Sequence, residues 1–144
     1  MRRRIAVLAG LLLFAAGPLL CAETDEEVEA HRQVLDLTGA FSNDGFRLRD
    51  GHWVGKIKPA ERALIAVNLY AGNQYWFSAA ANPKAKKIAV ELYDEAGKPL
   101  ATESYNEGER ASAGFSPTAS GQYFVSLSLI EGEPSTFCLV YSYK

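Results

Sequence analysis

The sequence predicts an all-β protein: an antiparallel β-sandwich or jelly roll of about eight strands, preceded by a short helix. Three observations predict it. From Ala63 to Tyr93, and again from Arg110 to Tyr143, apolar and polar residues alternate with a period of two. That period sends successive side chains to opposite faces of a strand. Gly, Asn, Asp and Pro cut these runs at short, regular spacing, and no long helical pattern lies between them, which argues against βαβ units.

The first residues have another purpose. Met1-Arg2-Arg3-Arg4 is basic, Ile5 to Ala16 is almost unbroken apolar chain, and Gly17-Pro18 ends any helix there. This is the three-part form of a secretory signal peptide, with cleavage expected near Ala22. The apolar core is too short for a membrane span. Leu20 stands where lipoprotein processing wants a small residue, so lipid anchoring at Cys21 is not expected. The domain plan is therefore a leader over 1–22, a helical segment over 23–41 and a sandwich over 42–144. The expected location is the periplasm or the exterior.

With the three leader arginines removed, twelve basic residues face seventeen acidic ones, a net charge of −5. A mildly acidic surface argues against nucleic acid and anionic membranes as partners. Cys138 becomes the only thiol, so no intramolecular disulfide is available. In its alternating run it reads as a small buried hydrophobe.

Thr24 with Glu27 three residues on is a capping box, and Asp25, Glu26 and Glu27 suit the first turn of a helix. The helix is expected over Thr24 to Leu37, with Gly39 as its C-terminal cap. Its apolar side is read as Val28, Leu35 and Thr38, with Val34, Leu37 and Phe41 close by. The sandwich begins after the turn Ser42 to Gly45. Phe46 to Arg49 and His52 to Lys58 flank Asp50-Gly51, a hairpin dipeptide. Trp53, Gly55 and Ile57 share one face of the second run. Ala63 to Leu69 is apolar on both faces and reads as an interior strand. Tyr75 and Phe77 face inward opposite Trp76 in the next run. Ile88, Val90 and Leu92 follow, opposite Ala89, Glu91 and Tyr93. After the turn at Asp94 to Lys98, Pro99 to Ser104 suits an edge strand. Ala111 to Phe115, then Tyr123 to Ile130, then Phe137 to Tyr143 complete the set.

Three stretches carry a resemblance: Ala71 to Ala79, Val90 to Leu100, and Phe115 to Val125. Their order resembles the bacterial pre-peptidase C-terminal domain. The shared features are a Gly-x-x-Tyr-x-Phe strand entry, a Tyr-Asp-Glu-x-Gly hairpin and a Ser-Gly-x-Tyr strand entry, over roughly Trp53 to Tyr143. The resemblance implies a β-sandwich in a secreted bacterial protein, in a family whose members serve as accessory modules. Related modules bind calcium through acidic turn residues. Asp94 and Glu95 match that hairpin, without a dense acidic set around them.

Motifs for catalysis are not found: no Gly-x-Ser-x-Gly elbow, no His-Glu-x-x-His and no phosphate loop. No cofactor is expected. The two histidines are His31, one turn beyond Glu27 and within its reach, and His52, read as a solvated strand residue. His31 with Glu27 is a pair, and a pair is not a metal site, since structural zinc takes four protein ligands and catalytic zinc three. Asp94, Glu95, Glu107 and Glu109 are weak calcium candidates, since neither turn supplies six oxygens alone. The remaining signal is aromatic. Trp53, Trp76, Tyr93 and Phe124 are the candidate binding residues. Outward Trp76, Tyr93 and Phe124 form either a platform for a protein or polysaccharide partner or the surface beneath the helix, and the helix is the favoured cover. The expected function is a non-catalytic binding or accessory module. A stand-alone structural protein of the envelope is the alternative, and an enzyme of unrecognised type the third.

Overall fold

The computed structural model describes residues 22–144, so the expected signal peptide and Cys21 lie outside the described residues. One helix, α1 (Asp25–Ser42), precedes nine strands. They are β1 (Arg47–Leu48), β2 (Trp53–Ile57), β3 (Arg62–Leu69), β4 (Tyr75–Ala81) and β5 (Ala85–Tyr93), then β6 (Glu103–Glu107), β7 (Arg110–Phe115), β8 (Gly121–Gly132) and β9 (Ser135–Tyr143). Two sheets pack as a sandwich, and every ladder is antiparallel. The larger sheet runs β9, β4, β7, β6, with β1 and β2 both along the free side of β9. The smaller sheet is β3, β8, β5.

Alternation builds the core. Phe77 and Leu139 of the larger sheet meet Ile88, Leu92, Val125 and Leu127 of the smaller one, all buried. Burying side chains of this size contributes about 1.5–3 kcal/mol each. A second, small core lies on the other side of the larger sheet. There Ala30 and Val34 of α1 press on Ala80, Cys138 and Val140. The larger sheet is thus buried on both faces at β4 and β9, which explains why β9 reads as a nearly continuous apolar run.

The capping box forms as read. Thr24 N–H donates to Glu27 Oε2 at 3.1 Å, and Glu27 N–H donates to Thr24 Oγ1 at 3.2 Å. The helix then departs from expectation in two ways. It runs through Gly39 to Ser42 and caps at Asn43. Gly in a helix costs about 1 kcal/mol relative to Ala, but continuing one more turn lets Phe41 stack on Trp76, ring centroids 4.7 Å apart. The helix is also rotated. Its buried stripe is Ala30, Gln33, Val34, Leu37 and Thr38, while Val28 and Leu35 face solvent. Small Ala30 admits close approach to the sheet. Glu26 fixes the rotation, accepting from Thr136 Oγ1 at 3.0 Å and lying 3.5 Å from Lys84 Nζ.

Three strand expectations are corrected. Asp50-Gly51 does not close a hairpin: β1 and β2 follow each other along β9, and Gly51 at φ 90° only offsets the chain between them. β3 is an edge strand, not an interior one. Its outer face is apolar without being buried, and Leu64 there is 63% exposed. The strand after Asp94 also starts later than expected. Pro99 makes one bridge to Tyr93, Leu100 N–H donates to Leu92 O at 3.0 Å, and the chain then crosses between sheets to form β6 beside β7.

Candidate functional site

The four candidate aromatics do not form one group. Parity along the strands sends Trp76, Tyr93 and Phe124 outward, but the two sheets have opposite outer faces. Trp76 is on the larger sheet, under α1. Tyr93 and Phe124 are on the smaller sheet, directly paired in register. Trp53 points inward from β2, as its alternation with Ile57 requires, and is half-buried. The favoured cover therefore applies to Trp76 alone.

The outer face of the smaller sheet has no layer over it among the described residues. Along the central strand β8 it presents Phe124, Ser126, Ser128 and Ile130. Beside them stand Leu64 and Ala66 on β3, and Ala89, Glu91 and Tyr93 on β5, by register. Serines in the middle and longer side chains beside them make a shallow groove. Arg62 reaches across it: Nη1 donates to the Tyr93 hydroxyl at 3.0 Å, and the guanidinium lies 5.8 Å from that ring's centroid. The hydroxyl donates in turn to Glu91 Oε2 at 2.9 Å, which with burial pushes the phenol pKa up and keeps it protonated. Leu64, Phe124 and the Glu95-Ala96-Gly97 turn complete a concavity of about 400 Å³. Ser126 is fully buried beneath this bridge, and its hydroxyl has no partner among the described residues.

A second concavity opens where the sandwich edge formed by β2 faces β3. Trp53 stacks on Tyr141 with centroids 6.0 Å apart, and the Arg49 guanidinium lies 5.4 Å and 5.2 Å from their centroids. Asn68 and Tyr70 share the wall, and Tyr70 is 64% exposed. The space is about 350 Å³, in the range of small-ligand pockets. Burial raises the Tyr141 pKa against the opposing pull of Arg49.

Of the carboxylates singled out in the sequence, Asp94 serves its own turn. Asp94 Oδ1 accepts from Ala96 N–H at 3.0 Å and Lys98 N–H at 2.8 Å. Glu107 accepts from the Tyr105 hydroxyl. Glu95 lines the groove, and Glu109 gives its carbonyl to Ala81 N–H at 2.9 Å. Cys138 is fully buried beneath α1, and burial first, then the charge of Glu23, pushes its thiol up to about 12. Glu27, engaged in the cap, does not meet His31. His31 instead stacks on His52, ring centroids 4.2 Å apart, and His52 Nε2 lies 3.6 Å from Glu23 Oε1. Local spacing does not signal this contact, because the two histidines come from different elements.

No family model matches the chain, and no curated protein is significantly similar to it. Among the described residues, no helix is long and apolar enough to cross a membrane.

Proposed function

We propose that this is a non-catalytic, extracytoplasmic binding module that docks a protein partner on the outer face of its smaller sheet. The observation that carries this reading is an asymmetry. One outer face of the sandwich is covered by the chain's own helix. The other is bare among the described residues: Leu64, 63% exposed, stands beside Tyr93 and Phe124, and Ile130, 53% exposed, lies farther along β8. An exposed leucine beside an aromatic pair, with Arg62 and Glu91 hydrogen-bonded to the Tyr93 hydroxyl, has the composition of a protein interface. Arg62 already occupies one face of the Tyr93 ring, which favours a protein surface over a sugar ring stacked there. The adjacent β3 pairs only with β8 among the described residues, so its other edge can accept an extended segment of the partner. The basic and apolar leader, and the resemblance to secreted accessory domains, support the location.

A second reading rests on the other concavity. Arg49 lies over the Trp53 and Tyr141 rings there, and the exposed Tyr70 ring beside the Arg49 and Asn68 donors, backed by Trp53, is a set suited to a polysaccharide. Affinity purification from envelope extract separates the two. A Leu64→Asp, Ile130→Asp variant should lose a stoichiometric protein that the wild type retains. Unchanged retention by that variant sinks the docking reading. Binding to insoluble polysaccharide that disappears in Trp53→Ala supports the second reading instead.

A further inference from the structure

The two histidines of the chain, twenty-one residues apart, meet face to face. His31 projects from α1 and His52 precedes β2; their rings stack at 4.2 Å with planes 26° apart. Glu23, just ahead of the helix cap, joins them. One ligand atom from each of Glu23, His31 and His52 lies within 4.8 Å of the others.

We propose that Glu23, His31 and His52 bind one zinc-class divalent ion, with water in the fourth position. This goes beyond the docking surface and is independent of it. An ion at the nitrogen edge of the stack, beside the Glu23 carboxylate, takes one nitrogen of each ring as a ligand. Two imidazoles and one carboxylate form a donor set for zinc, nickel or copper, not for calcium. Tetrahedral bonds of about 2.0–2.1 Å separate ligand atoms by roughly 3.3 Å. Closing to that spacing requires shifts of the Glu23 side chain, 51% exposed, and of His52, 28% exposed. Asp25, Glu26 and Glu27 in the first turn add a negative field. The ion would clamp the front of α1 to the strand edge at β2, as expected of a metal bound only by the folded chain.

The test is a cobalt titration of the metal-free protein, prepared without a polyhistidine tag. Cobalt reports coordination through its visible bands. The wild type should develop bands that saturate at about one equivalent and vanish on adding zinc. His52→Ala should weaken binding at least about tenfold and Glu23→Gln should weaken it measurably. Zinc should raise the melting temperature of the wild type and not of His52→Ala. His52 lies in an exposed turn, so this variant retains the fold; circular dichroism checks it. Absence of saturable bands in the wild type overturns the proposal, and so do bands that persist unchanged in His52→Ala.

Discussion

Phe41 of α1 lies flat on the indole of Trp76, with ring planes 13° apart. Below the same indole is Gly114 of β7, where an added Cβ would stand 2.9 Å from Cζ2. Trp76 is held between the helix and a glycine that leaves room for it. This relationship ties the last turn of the helix, where propensity is weakest, to the sheet.

Phe41→Ala should therefore cost about 1–3 kcal/mol, the sum of lost burial and lost ring stacking. In a Trp53→Phe background, the emission of Trp76 should shift red and become open to iodide quenching. Gly114→Ala should destabilise by up to about 1–3 kcal/mol, because the indole must shift from its place against Phe41 to admit the Cβ. Denaturant melts of the two variants measure both effects.

Two outer-face serines should respond in opposite ways. Ser78 and Ser112 share a fully buried hydrogen bond at 2.9 Å. Removing one partner strands the other, so Ser78→Ala should cost about 1–3 kcal/mol. Ser126 has no partner to lose among the described residues. Ser126→Ala should be neutral or stabilising in the same melts.

Cys138 should be inert while the protein is folded. Its thiol is buried and pushed up to about 12, so very little thiolate exists at neutral pH. A thiol reagent should label it only in denaturant. Labelling of the native protein at the rate of a free thiol would mean that α1 opens readily from the sheet.

Glu29 gives a pH signature on the helix. Hydrogen bonds from Arg32 first, at 2.8 and 3.1 Å, and then from Gln33 at 2.9 Å, lower its pKa to about 2. A depressed carboxyl pKa stabilises the fold above the unfolded value, roughly 4.3, and that contribution is lost as pH falls toward 2. Its share of stability is small because the pair faces solvent. Carbon-detected NMR titration should show the lowest glutamate midpoint at Glu29. Arg32→Ala should move that midpoint up.

What was legible in the sequence was local. The Thr24–Glu27 cap, the turns and the alternating runs are decided by neighbours within a few residues, and they appear in the structure. What was not legible was partnership. Parity sends Trp76, Tyr93 and Phe124 outward alike, yet only pairing decides that Trp76 belongs to the sheet under α1 and the other two to the bare one. The same applies to Asp50-Gly51, whose flanking strands choose β9 over each other. The rotation of α1 was misread because Val28 and Leu35 are more apolar than Ala30, and close approach rewards the smaller side chain. The apolar outer face of β3 suggested burial. Among the described residues that face is open, and Leu64 on it lines the groove.

The most direct test of the proposed role compares the two faces in the producing cell. A photo-crosslinking residue is placed at Leu64 or at Ile130 on the bare sheet, and at Leu35 on the outside of α1 as the control. Docking on the smaller sheet predicts one discrete adduct from both sheet positions, none from Leu35, and loss of the adduct when Arg62 is changed to Glu. No adduct from the sheet positions, or the same adducts from Leu35, would contradict the account.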